Sequence, residues 1–227
     1  MHKQKLIIIG DSAFAEIAYE YFTHDSDYDV VAFSVEMGFL KKRALFELPV
    51  VAFEELTSLY SPESHSIFVA ATYTQFNRLR TRLAKEAKAK GYQLASYISS
   101  SAFVWRNVTF GEHCFVFEDN TLQPFVTIGN NCVLWSGNHV GHHSHVKDNC
   151  FISSHVVISG FCEIGENCFI GVNASIGNNV NIGRDNWIAP GISLLKSTPP
   201  NSLFKATKTL PADIPALDFF KVADPAK

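Results

Sequence analysis

Long apolar runs are the first thing missing. No stretch of eighteen apolar residues occurs among the 227, which excludes a membrane-spanning helix. The apolar run after Met1-His2-Lys3-Gln4-Lys5 has four residues, Leu6 to Ile9, too short for a secretory signal. Basic clusters are missing too. Nineteen Lys and Arg against 22 Asp and Glu leave a net charge of −3 and no patch suited to a nucleic acid. The five cysteines show no C-x-x-C spacing, so neither a metal site nor a redox pair is expected. Reduced, packed thiols fit a cytoplasmic protein. Glycine is sparse where a dinucleotide binder needs it: Gly10-Asp11-Ser12-Ala13-Phe14-Ala15 lacks the later glycines of G-x-G-x-x-G.

What is present is a period of six. Every sixth residue from Val104 through Phe110, Val116, Leu122 and Ile128 to Leu194 is large and apolar, sixteen positions without a break. A helix repeats at 3.6 and an ordinary strand at 2, so neither explains it; a hexapeptide-repeat β-helix does. In the left-handed form three hexads make one triangular coil. Residues eighteen apart then stack at the ~4.8 Å strand spacing. Small or β-branched residues two positions earlier, such as Val108, Val126, Ser144 and Ala174, point into the same narrow interior. Cys114, Cys132, Cys150 and Cys168 fall in one such column and Cys162 on another face, so all five are expected to be packed and inert. Glycine follows the apolar residue at Gly111, Gly129, Gly141, Gly165, Gly171, Gly177 and Gly183, where relaxed corner dihedrals are expected.

Ahead of the repeat, strands alternate with helices. Lys5 to Ile9, Tyr28 to Ser34, Pro49 to Val51 and Ser66 to Ala71 read as strands. Helices are expected after Asp11 or Ser12, at Glu54 to Tyr60, and from about Thr74 to Lys90. The expected architecture is a small Rossmann-like parallel α/β domain over residues 1–97, then a left-handed parallel β-helix over 98–197 and a tail over 198–227. Tyr97 to Ser101 is the expected hinge. Ligands on such a sheet sit at the strands' carboxyl ends, here Gly10 to Phe14, Ser34 to Glu36 and Ala71 to Tyr73.

Four of nine histidines crowd into Asn138-His139-Val140-Gly141-His142-His143-Ser144-His145. They could form a solvated corner, a metal site or a general base. The H-x-x-x-x-H pair of zinc-binding β-helices is absent, which weighs against metal. A neutral imidazole titrates in the range needed to take the proton from an attacking amine. Position favours the base: Gly160 lies eighteen residues beyond His142, one coil up. The glycine is expected to leave space beside the imidazole, with its N–H facing that space to stabilise an oxyanion.

With a small α/β domain, a hinge and a β-helix carrying histidine eighteen residues before Ile158-Ser159-Gly160, the chain resembles bacterial N-acetyltransferases acting on nucleotide-linked 4-amino sugars. It is similar also to the sialic acid O-acetyltransferases beside them. The resemblance spans residues 5 to 205 and implies an acetyl-coenzyme A-dependent acyltransferase working as a homotrimer. On that pattern His142 matches the base, with His143 standing where the family commonly has an acidic residue, and Gly160 the oxyanion donor. Coenzyme A contacts fall on Phe151, Gly160, Val172, Ala189 and Pro190, Phe151 replacing a frequent histidine. Nucleotide-sugar contacts fall on Gly10, Asp11, Ser12, Val35 and Glu36. Ala13-Phe14 replaces Gly-His, and Val35-Glu36 replaces an acidic pair. Trp135 and Asn138, particular to this chain, join the candidate substrate contacts. The favoured acceptor is the amine of a nucleotide-linked amino sugar; the alternatives are a hydroxyl acceptor or a non-catalytic trimeric scaffold.

Overall fold

The computed structural model describes residues 3–207 and 209–223. Leu6 to Ile9 are apolar without alternation because both faces of their strand are covered. That strand is β1 (Gln4–Ile9), followed by α1 (Ala13–His24), β2 (Tyr28–Val35), β3 (Ala44–Leu45) and β4 (Leu48–Ala52). The one-turn α2 (Leu56–Leu59), β5 (His65–Val69), α3 (Arg78–Ala89) and β6 (Gln93–Leu94) complete the unit. Strand order is β3-β4-β2-β1-β5-β6, parallel except for the β3–β4 hairpin. The chain runs outward from β1 in both directions, so the crevice at the carboxyl ends opens beside Gly10. Gly10 has φ +130°, and a Cβ there would meet the Ala70 carbonyl oxygen at 3.0 Å. α3 starts four residues later than its apolar stripe predicts. Gln75, Phe76 and Asn77 are left-handed, at φ 50°, 59° and 65°, and Phe76 stacks on Trp187 instead of extending the helix.

From Tyr97 onward each hexad is a two-residue strand and a turn, and each strand pairs in parallel with the one eighteen residues away. Three sheets form three sides, the form of a left-handed β-helix. Tyr97–Ile98 is itself the first rung, so the coil begins within the stretch read as a hinge. Leu203–Phe204 pairs with Trp187–Ile188 sixteen residues back, so the chain rejoins the first side after a coil shortened by two residues. Phe115, Val133, Phe151, Phe169 and Trp187 point out from the first side into the core shared with α1. The second side presents Thr121, His139, Val157 and Ser175; the third presents Thr127, His145, Glu163 and Asn181.

The glycines after the apolar positions are not the left-handed residues. At Gly141 a Cβ would lie 2.6 Å from the Gly160 nitrogen, and at Gly171 2.5 Å from the Pro190 nitrogen. Close approach of the next coil, not torsional freedom, excludes a side chain there. Positive φ falls two residues later, at Asn131, Asn167, Asn173 and Asn179, where asparagine tolerates the left-handed region.

All five cysteines are free and buried. Burial drives the Cys114 thiol up to about 12 and raises Cys150 and Cys162 as well. Cys168 is drawn down by its hydrogen bond with Cys150, but it has no exposed surface. The folded protein is expected to react with a thiol reagent only slowly, at the rate of opening. Rapid labelling of several thiols would contradict this packing.

A buried polar seam joins the two units. Arg80, fully buried, donates to the carbonyls of Val69 and His113 and lies 5.0 Å from the Phe68 ring centroid. His113 Nε2 accepts from the Val69 N–H at 2.9 Å, and its Nδ1 meets Asn131 Oδ1 at 2.7 Å. Desolvation, then the nearby Arg80 charge, holds His113 well below its usual 6.5. The unfolded chain takes up this proton near 6.5 and the folded chain only well below. The stability is therefore complete above about pH 6.5 and falls as acid is added, by ~1.4 kcal/mol per unit. Unfolding titrations from pH 7 to 5 should show that slope, and His113→Gln should remove it.

Candidate active site

The corner between the second and third sides carries His142. Its imidazole fills the space that Gly160 leaves: a Cβ on Gly160 would sit 2.9 Å from Cε1 and 3.0 Å from Nε2. The space expected beside the ring is thus occupied by the ring itself. His142 Nδ1 lies 3.1 Å from His143 Nδ1, so one ring donates and the other accepts. When His142 donates, its Nε2 is left as the acceptor. The His142 backbone N–H is held by Gln123 Oε1 at 3.0 Å.

His143 lies between two exposed aromatic rings. Phe125 stacks on it at 4.5 Å and Phe161 at 4.9 Å, while Phe161 also meets His142 edge-on at 4.9 Å. Phe125, His143 and Phe161 are all left-handed, at φ 66°, 58° and 57°. For a bulky residue that conformation costs roughly 1–2 kcal/mol, yet both phenylalanines remain 53% exposed. The turn imposes this conformation at the same place in hexad after hexad, and in this column it is filled by two phenylalanines and an imidazole where other corners place asparagine.

Other expectations need correction. The Gly160 N–H does not face open space; it donates to Asn178 Oδ1 at 2.9 Å. Phe151 is buried against Phe169 and Tyr73 on the first side, so its ring is core between the two units. Asn138 is buried inside the coil, donating to the Trp135 carbonyl and accepting from the Val156 N–H at 2.8 Å, so neither end of its amide is free for a sugar. The Val35 side chain is buried in the sheet core. Glu36 is gripped by Arg82 through two 3.0 Å hydrogen bonds, which raise the guanidinium above its ordinary value.

The remaining candidates fall into two places. Gly10, Asp11 and Ser12 form the turn into α1, with Ser12 at the N-cap and Lys42 Nζ donating to the Asp11 carbonyl at 3.0 Å. Trp135 stands opposite, stacked on Phe117 at 4.5 Å with the Phe14 ring 6.1 Å away. Its indole N–H is buried without an acceptor among the described residues. α1 runs along the corner between the first and second sides, where Tyr21 donates to Glu118 at 2.6 Å and Ser136 does the same. Val172, Ala189 and Pro190 lie higher on that edge, Val172 accepting from the Gly191 N–H at 2.8 Å. His142 and Gly160 occupy the other edge of the second side. One chain does not bring the two sets together.

Gln123, Asn178, Phe125, Phe161, Lys42 and Arg82 were missed. The spacing of eighteen could have found three of them: stepping from Gly160 reaches Asn178, and from His143 reaches Phe125 and Phe161.

Residues 125–160 and 143–178 match the profile of the bacterial transferase hexapeptide, six repeats. No curated protein matches the sequence significantly. Among solved structures the chain is similar to perosamine N-acetyltransferase from Caulobacter crescentus, seen as a histidine variant with CoA and GDP-perosamine. The TM-score is 0.78 at 26% identity, over 88% of this chain and 92% of that one. It is similar in fold to the acetyltransferase domain of PglB from Neisseria gonorrhoeae, seen with acetyl coenzyme A. There the TM-score is 0.79 at 21% identity, over 88% of this chain and 95% of that one. Over residues 125–178 the chain carries the repeat of the bacterial hexapeptide transferases, and the solved structures it resembles are acetyltransferases. Within that class its likeness is to the bacterial sugar N-acetyltransferases.

Proposed function

We propose that the protein transfers an acetyl group from acetyl-coenzyme A to the amine of a nucleotide-linked amino sugar, with His142 as general base. The observation that carries this is the state of the imidazole: Nδ1 is engaged by His143 and the ring is seated on Gly160. With His142 donating from Nδ1, Nε2 is the nitrogen able to take a proton. His143 then does as a neutral acceptor what a carboxylate does in relatives, and its aromatic sandwich holds it in register. The amine attacks the thioester carbon, the C–N bond forms, and the nitrogen's proton passes to Nε2. The C–S bond breaks, its pair goes to sulfur, and the proton returns there to give the thiol and the amide.

The nucleotide is assigned to the turn at Gly10 to Ser12 and the mouth at Glu36, with Lys42 and Arg82 as the nearby cations. The orphan indole N–H of Trp135 would find an acceptor in a bound oxygen, relieving a cost of about 1–3 kcal/mol. Val172, Ala189 and Pro190 are assigned to coenzyme A. Because this edge and the His142 edge lie apart in one chain, the complete site needs a second copy, and the proposed assembly is a homotrimer. The assay is thiol release from acetyl-coenzyme A with GDP-, UDP- and dTDP-linked amino sugars against the free sugars. Higher kcat/KM with a nucleotide-linked amine is expected; equal or better efficiency with free sugars would sink the assignment. Light scattering should give a trimer, and a monomer at working concentration would contradict the shared site.

A further inference from the structure

The geometry points to Asn178 as a second group that touches the reacting acyl carbon's oxygen, presenting its carboxamide N–H to the thioester carbonyl. This rests on the acyl-transfer reading of the His142 corner. A backbone N–H can be accepted only by a carboxamide's oxygen, so the 2.9 Å bond from Gly160 fixes which end of Asn178 faces the coil. Its Nδ2 is left with no protein acceptor among the described residues, on an exposed side chain. His142, Gly160 and Asn178 share one column at successive coils. Gln123 engages the His142 N–H from below in the same manner. The imidazole lies against Gly160, the residue whose N–H Asn178 engages from the next coil. The Gly160 N–H is already engaged and cannot meet an oxyanion without losing Asn178. The outward Nδ2 can do so without rearrangement. As the amine attacks, the carbonyl π pair moves to oxygen, where this N–H stabilises it until the pair returns and sulfur departs.

The competing role is a rung-to-rung brace with no part in chemistry. The molecule contains its own control: on another corner Asp148 Oδ1 accepts the Asn130 N–H at 2.7 Å, so a carboxylate serves as a brace. Asn178→Asp should therefore keep the melting temperature while losing the donor. Asn178→Ala should free the Gly160 N–H as well as remove the donor. The measurements are kcat and KM for acetyl-coenzyme A with a nucleotide-linked amino sugar, and melting temperature, with His142→Ala as reference. The expected results are a kcat loss of roughly 10²- to 10³-fold in Asn178→Asp and at least about tenfold in Asn178→Ala. KM for acetyl-coenzyme A should hold in both, and the Asp variant should melt like the parent. Wild-type or higher kcat in Asn178→Ala, with His142→Ala inactive, would make the freed Gly160 N–H the donor and overturn the inference. Full activity in His142→Ala would instead overturn the reading on which it rests.

Discussion

His142→Ala is expected to lower kcat by roughly 10²- to 10⁴-fold, the usual worth of a positioned general base. Coenzyme A binding should change little, because Val172, Ala189 and Pro190, the residues assigned to it, lie on the other edge of the second side. The fold should also survive, since the imidazole is exposed and Gly160 tolerates an empty neighbour. His143→Ala should cost less. It removes the acceptor at His142 Nδ1 but leaves the reacting nitrogen in place. Steady-state thiol release measures both. Near-normal turnover without His142, or a larger loss without His143, would reverse the roles.

Arg80→Ala should have the largest effect on stability. The guanidinium is fully buried, and desolvation pulls it down to about 9. Its hydrogen bonds run to Val69 on β5 and to His113 at the base of the coil, so it ties the two units together. Its removal leaves a cavity and two buried carbonyls without that donor, a loss of roughly 3–5 kcal/mol. For a chain of this size that lowers the melting temperature by roughly 10 °C. Arg80→Met should fill more of the cavity yet still leave the carbonyls unmet. A melting temperature unchanged in both variants would mean the seam contributes little.

The coil was legible because its interior admits, in each hexad, one large apolar residue and one small one two positions earlier. Side chains such as Ile128, Val146 and Ile164 must all face one narrow axis, which writes the period directly into the chain. The position of His142 beneath Gly160 followed from the same arithmetic. The glycine pattern was visible but its cause was not, since backbone approach between coils at Gly141 is a distance no single hexad records. The burial of the Phe151 and Val35 side chains went unread for a different reason. Whether an outward-facing or strand-end residue meets solvent or another layer depends on what covers it: Tyr73 of the α/β unit covers the Phe151 ring, and Val35 joins the sheet's own core. Asn138 looked like a polar contact because its two hydrogen bonds are to backbone groups in its own and the next coil. Glu36 is occupied by Arg82, forty-six residues away in sequence, a pairing no local pattern announces.

The most direct test is the position of sulfur in a complex with coenzyme A and a nucleotide-linked amino sugar. The account predicts the thiol at the His142 corner of one copy, with the sugar amine within about 3–3.5 Å of the acyl position it attacks. It also predicts His142 Nε2 within hydrogen-bond reach of that amine, and Val172 and Pro190 of a second copy along the cofactor. Coenzyme A bound within a single chain, with its sulfur remote from every His142, would contradict it.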